Sequence, residues 1–163
     1  DIEGFLAPLA GRDLSSRRVA VLGAGGASRA VAEALRGQTA GVTVYARRPE
    51  AATAVAEATG VATGPWPPAI DSWDLLVNTT PVGTVPDVAR APIALDGVLA
   101  GRLVYDLVYN PPHTRLLRDA AAAGCKTIGG LDMLVAQAQA QFEWWTEQRP
   151  AERVMRDAGP GRA

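Results

Sequence analysis

The chain has 163 residues, of which 48% are hydrophobic and 20% charged, and its formal net charge is −1. That length and balance describe one globular domain with enough chain for a sizeable core, and they exclude intrinsic disorder. No basic block favours nucleic acid, no apolar run approaches the roughly 18 residues of a membrane span, and no basic-then-apolar leader opens the sequence.

Cysteine and histidine narrow the chemistry further. Cys125 and His113 are the only residues of their kind. An intramolecular disulfide and multi-cysteine or multi-histidine metal sites are therefore excluded, and no metal is expected. A lone thiol fits a reducing cytoplasm, and Cys125 reads as a small buried residue before a short strand. Lys126 is the only lysine among sixteen basic residues. Asp1 stands where a start methionine would, which marks the chain as processed or as a piece of a longer one. The expectation is a soluble, cytoplasmic protein with no membrane or nucleic-acid partner.

In chain order, Ile2, Phe5, Leu6 and Leu9 share one helical face that ends at Gly11, although Gly4 and Pro8 weaken it. Residues 12–17 are a polar connection. Residues 18–22 (RVAVL) are an apolar run of strand length, followed at once by Gly23-Ala24-Gly25-Gly26. Ala27, Ala30, Val31, Ala34 and Leu35 then recur at helical spacing, which predicts one buried helix face closed by Gly37. Residues 42–45 form a second strand. Pro49 opens a helix that ends at Gly60, and residues 61–62 make a short third strand.

Residues 64–68 (GPWPP) are a loop by composition. The run 74–78 (DLLVN) is a buried strand that turns at residues 79–83 (TTPVG). Residues 84–101 read as loop with at most one helical turn. A strand is predicted over 103–109 and stopped by Asn110-Pro111-Pro112. His113 reads as a helix-start residue, the alanine-rich helix covers 114–123, and Gly124 ends it. Residues 126–128 are a short strand. Leu131, Leu134, Val135, Ala138, Phe142 and Trp145 form one long helical stripe, interrupted by Pro150. A short helix over 151–158 and a frayed tail complete the chain.

Strands alternate with helices almost throughout. The predicted class is therefore α/β, with a doubly wound, mostly parallel, Rossmann-like sheet. Ligands of such sheets bind at the carboxyl ends of the strands. Here those ends are Gly23, Ala46, residues 78–83 and Tyr109, four loops predicted to converge on one crevice.

The glycine turn between strand and helix is the dinucleotide-binding arrangement. Gly23 permits the tight turn, and Gly25 lets a pyrophosphate approach the backbone. The helix N-terminus behind it presents N–H groups and a positive dipole end. Ser28 occupies the third small-residue position. An acid about 20 residues on would select NAD, but the second strand ends Ala46-Arg47-Arg48. Guanidiniums make forked bonds to phosphate, so the 2′-phosphate of NADP is expected. The alternative is a solvated surface pair, above all at Arg48.

These segments together resemble the cofactor domain of the shikimate dehydrogenase family over residues 1 to about 158. The matching stretches are GAGGAS at 23–28, VYARR at 44–48, LVNTTPVG at 76–83, VYDLVYNPPHT at 104–114 and GGLDMLVAQAQAQFEWW at 129–145. The resemblance implies NADP-dependent interconversion of 3-dehydroshikimate and shikimate in aromatic amino-acid biosynthesis. It places the pyrophosphate on Gly23, Ala24, Gly25, Gly26 and Ala27, and the 2′-phosphate on Arg47. Ala46 and Arg48 depart from the family's asparagine and threonine. Thr79 and Thr80 fall where the family's loop lies along the cofactor, and Leu107 and Gly130 where backbone groups approach the nicotinamide. Tyr109 and Gln137 match its substrate-contacting residues; read without the family, they are a strand-end aromatic and a polar helix residue.

The resemblance also gives Asp1 a role. D-x-x-G-F at residues 1–5 resembles the end of a family motif whose aspartate is catalytic, whereas the residue alone reads as a helix N-cap. In the family that aspartate acts with a lysine of a preceding substrate domain, and both the lysine and that domain are expected to lie outside this chain. The implied organisation is a linker helix over 1–12, an NADP-binding domain over 13–148 and a terminal helix and tail over 149–163. Two rivals remain open. One is a broader quinate/shikimate dehydrogenase. The other is a non-catalytic NADP-binding module acting through a partner.

Overall fold

The structure, a computed structural model, describes residues 2–158. Six parallel strands form one sheet in the order β3-β2-β1-β4-β5-β6. They are β1 (Arg18–Leu22), β2 (Gly41–Tyr45), β3 (Ala62–Thr63), β4 (Leu75–Asn78), β5 (Leu103–Asp106) and β6 (Lys126–Ile128). The chain winds outward from β1 to β3, returns to the other side of β1 at β4, and winds outward again. The strand order reverses between β1 and β4, which opens a crevice at their carboxyl edge.

Helices cover both faces, as a parallel sheet requires. They are α1 (Ile2–Leu6), α2 (Gly26–Leu35), α3 (Pro49–Thr59), α4 (Arg115–Ala122), α5 (Gly130–Thr146) and α6 (Glu152–Ala158). Successive strand residues point to opposite faces, and the core divides accordingly. Val19, Val21, Val44 and Val77 pack with Val31 and Leu35 of α2, Val55 of α3 and Phe5 of α1. Ala20, Leu22, Leu76 and Val104 pack with Leu116, Leu117 and Ala120 of α4 and with Trp73 and Leu99. On that second face no helix bridges β4 to β5, and residues 79–102 cross as turns and bends. The predicted doubly wound α/β fold is observed, with every strand pair parallel.

Local differences have local causes. β5 ends at Asp106 rather than Tyr109, because Oδ1 of Asp106 accepts from the Val108 N–H (3.1 Å) and turns the chain out of the sheet. Thr114 is the N-cap of α4 rather than its first residue, its Oγ1 accepting from the Leu117 N–H. On α2 the inward face is Ser28, Val31, Ala32, Ala34 and Leu35. Ala27 is exposed and Ala30 only half-buried, because the buried face is centred on Ser28, Val31, Ala32 and Leu35 rather than on Ala27 and Ala30. Of the predicted α5 stripe only Val135 is buried, and Phe142 and Trp145 are 41% and 73% exposed. α1 and α6 pack on α5, but nothing among the described residues covers these two aromatic rings. Cys125 is half-buried and its thiol contacts the Leu99 carbonyl (3.5 Å).

α1 is nonetheless fixed to the core. The Phe5 ring stacks on Tyr105 with centroids 5.1 Å apart, and Gly4 lies so close to the Gln137 side chain that a Cβ there would collide with it. No helix among the described residues is long and apolar enough to cross a membrane.

Candidate cofactor cleft

A cavity of about 720 Å³ opens at the carboxyl edge of β1, β2 and β4. This is the range of small-molecule sites. Its floor is the turn Gly23-Ala24-Gly25. One wall is Ala46, Arg47, Arg48 and Ala51, and the inner end is Thr79, Thr80, Pro81 and Val82. Gly23 adopts φ +118°, a conformation that side-chain-bearing residues avoid, and a Cβ there would lie 2.5 Å from Oγ1 of Thr79. Its N–H donates to the Tyr45 carbonyl (2.8 Å), so the turn is closed against β2. At Gly25, the N-cap of α2, no atom other than those of its immediate chain neighbours lies within 4 Å of where a Cβ would project. The backbone is therefore open to a ligand, as the sequence predicted.

The electrostatics of the cleft are one-sided. Three arginines line it, Arg47, Arg48 and Arg90, and no aspartate or glutamate does. None of the three guanidiniums has a hydrogen bond or ion pair with the described residues. Elsewhere Arg18, Arg36, Arg115, Arg149 and Arg156 each pair with a carboxylate. Unneutralised positive charge beside a helix N-terminus is an arrangement for a polyanion.

A buried polar network shapes the inner end. The Asp106 carboxylate accepts from Asn78 Nδ2 (2.9 Å), Thr114 Oγ1 (2.6 Å) and the Val108 N–H (3.1 Å). Burial pushes its pKa up, and these three donors oppose that shift. Oδ1 of Asn78 accepts in turn from the N–H (3.0 Å) and hydroxyl (2.7 Å) of Thr80. The Thr79 hydroxyl donates to the Leu22 carbonyl (2.7 Å). Both threonine hydroxyl protons are thus committed to the protein, as are both N–H groups, that of Thr79 donating to the Leu22 carbonyl (2.9 Å), and the loop offers a ligand its shape. The network ties the loop after β4 to the loop after β5 through a fully buried carboxylate.

The structure separates the predicted site residues into two groups. Gly23, Ala24, Gly25, Arg47, Arg48, Thr79 and Thr80 line the cleft. Gly26 and Ala27 begin α2 beside it, exposed and outside its lining. Leu107, Tyr109, Gly130 and Gln137 do not line it, so three of the four predicted loops meet there, not four. Within that second group Gly130 lies directly against the backbone of Leu107 and Val108, where a Cβ would collide, so α5 starts in contact with the loop after β5. Tyr109 is 45% exposed on that loop. Asp1 lies outside the described residues. The cleft also includes Trp66, Arg90, Ala91 and Pro92. Sequence reading passed over these because they sit in proline-rich loops without a motif. Among the described residues no group of three or more metal-binding side chains occurs.

Comparison with known proteins supplies independent evidence. Residues 130–158 match the family model for the shikimate 5′-dehydrogenase C-terminal domain. Residues 13–104, which carry the glycine turn and both arginines, match the NADPH-binding domain of acetohydroxy acid isomeroreductase. The shikimate dehydrogenase (NADP(+)) of Moorella thermoacetica is 42% identical, over 97% of this chain and 60% of that protein. Shikimate 5-dehydrogenase of Thermus thermophilus, solved with NADP(H) and shikimate, is 40% identical with a TM-score of 0.82, covering 95% of this chain and 59% of that one. Shikimate dehydrogenase of Aquifex aeolicus is 31% identical with a TM-score of 0.84, covering 96% and 59%. The chain spans about 60% of the length of curated relatives that it matches.

Proposed function

The chain belongs to the shikimate dehydrogenase family, corresponding to its C-terminal portion, and from that premise we propose that it binds NADP for a cytoplasmic enzyme interconverting 3-dehydroshikimate and shikimate. The observation that carries the cofactor reading is the cleft beside the glycine turn, with Arg47 and Arg48 unpaired among the described residues and no acid in its lining. When bound, NADP supplies the hydride acceptor of the reaction. In this reading Gly23, Ala24, Gly25, Gly26 and Ala27 receive the pyrophosphate, Arg47 and Arg48 hold the 2′-phosphate, and Thr79 and Thr80 border the dinucleotide. Leu107 and Gly130 offer backbone groups to the nicotinamide, and their mutual contact supports a shared role.

Tyr109 and Gln137 are assigned to the substrate. Gln137 adjoins α1 through Gly4. Asp1 is assigned the proton of the substrate hydroxyl, together with a lysine of a substrate domain. Lys126 is no substitute for that lysine. It opens β6 at the amino-terminal edge of the sheet, opposite the cleft. The corresponding organisation is a linker helix over 1–12, the NADP-binding domain over 13–148 and a terminal segment over 149–163.

Titration of this chain with NADP(H) and NAD(H) tests the cofactor reading; equal affinity for the two would overturn it. These 163 residues are expected to bind NADPH yet form almost none from NADP and shikimate. Robust shikimate-dependent NADPH formation would show that no lysine from elsewhere is needed. Faster turnover of quinate than of shikimate by the whole enzyme would replace the proposed substrate with the broader one.

A further inference from the structure

The glycine turn and Arg47–Arg48 account for one wall of the cleft. The rest of its lining comes from two segments that neither the glycine pattern nor the family resemblance explains, Trp66 in the loop after β3 and residues 90–92 before β5. Because β3 pairs with β2, the loop after β3 leaves the sheet beside the arginine segment that ends β2. The Gly64 N–H donates to the Val44 carbonyl (3.2 Å), and Gly64 lies directly against the Tyr45 ring. The chain is thereby turned across the end of β2 and delivers Trp66 to the cleft.

Trp66 is half-buried and packs against the core cluster that includes Tyr45 and Trp73. It lines the cleft and, with Pro92, also a smaller cavity of about 410 Å³. The indole is thus a partition seated in the fold with part of its surface toward the ligand space. Arg90 is exposed in the same cleft, and its guanidinium has no partner among the described residues. Its N–H donates to the Asp87 carbonyl (3.1 Å), and its own carbonyl lies 3.1 Å from where a Cβ on Gly83 would project. The cation is therefore carried on a turn packed against the loop that follows Thr79 and Thr80.

We propose that these two segments grip the adenosine half of the cofactor, the Trp66 ring stacking on the adenine and the Arg90 guanidinium bonding a phosphate of that half. The inference rests on the NADP reading above. An aromatic ring suits a purine because every base offers a π-face, and an unpaired guanidinium suits a phosphate. Trp66 and Arg90 share the cleft with Arg47 and Arg48, so affinity at that end does not depend on the glycine turn alone.

The test uses adenosine 2′,5′-bisphosphate, which carries the adenine and both phosphates of that half, alongside NADP. Calorimetric titration of this chain is expected to show Arg90→Ala weakening both ligands about tenfold. Trp66→Leu should weaken both by about fivefold or more, and Trp66→Tyr, which restores a ring, should recover most of that loss. Equal melting midpoints establish that the variants are folded. Wild-type affinity for the bisphosphate in either Arg90→Ala or Trp66→Leu overturns the proposal. If Arg47→Ala weakens the bisphosphate and these two variants do not, this inference fails while the NADP reading stands. If the unaltered chain binds neither ligand, both fail.

Discussion

The two edges of the sheet use the same residue type in opposite ways. At the amino-terminal edge Arg17, Arg18 and Arg102, which flank the strands, are satisfied by the protein. Arg18 holds Asp74 through its backbone N–H and guanidinium (2.9–3.1 Å), Arg17 donates to the Gly101 carbonyl (3.1 Å), and Arg102 donates to the Ile70 carbonyl. Arg102 also stands over the Trp73 ring, 5.0 Å from its centroid. At the carboxyl edge Arg47, Arg48 and Arg90 face a cavity with no partner among the described residues. The acidic residues are placed to match. Asp74 sits at the amino-terminal edge with Arg18, while at the other edge the carboxylate of Asp106 is buried and satisfied by neutral donors. Charge that the fold neutralises serves the fold, and charge that it leaves unneutralised beside a cavity awaits a ligand.

That contrast can be broken or sharpened by substitution. The largest effect is expected from Asp106→Ala, which strips Asn78, Thr114 and the Val108 N–H of a buried acceptor. A loss of about 3 kcal/mol in denaturant unfolding is expected. A loss below about 0.5 kcal/mol would mean that the carboxylate does not organise the cleft edge. Next is the pair Arg47→Ala with Arg48→Ala. It should weaken NADP about 30-fold while leaving NAD within about threefold, and leave the melting midpoint nearly unchanged, because neither guanidinium supports the fold. Equal losses for both cofactors would detach these arginines from the 2′-phosphate.

Gly23→Ala should cost about 1–2 kcal/mol of stability through its positive φ. It should also weaken dinucleotide binding by displacing Thr79, since the added Cβ has no space there. Unchanged stability and affinity in this variant would show that the turn tolerates a side chain. The smallest effect is expected at the opposite edge. Asp74→Asn should lower the melting midpoint at neutral pH by only about 2–4 °C, since exposed ion pairs contribute little. The hydrogen bonds from Arg18 hold the Asp74 carboxyl down at about 2. Because the folded value is depressed, the stabilisation is complete above the ordinary carboxylate range and is lost as pH falls through about 2. The difference between wild type and Asp74→Asn should therefore shrink progressively on acidification and be mostly lost by about pH 2. A difference that grew there would reverse the sign assigned to this pair.

The sequence by itself determined the doubly wound sheet, because unbroken apolar runs, glycine and proline stops and helical spacing are all local signals. It also determined the glycine turn and the basic end of β2, since a tight turn needs glycine and the two arginines are adjacent in the chain. Where the sequence reading overreached, one cause was local and one lay in the tertiary packing. The Asp106 side chain took the Val108 N–H and ended β5 early. The ring of Trp145 follows a helical stripe but finds no covering element among the described residues. Only the tertiary structure decided that Asn78, Thr80, Asp106 and Thr114, spread over 37 positions, form one buried network. It also brought Trp66 and Arg90 from unremarkable loops into the same cleft as Arg47 and Arg48. Hydrogen bonds and cavity walls join residues remote in the chain, and no periodicity or spacing records which loops will meet.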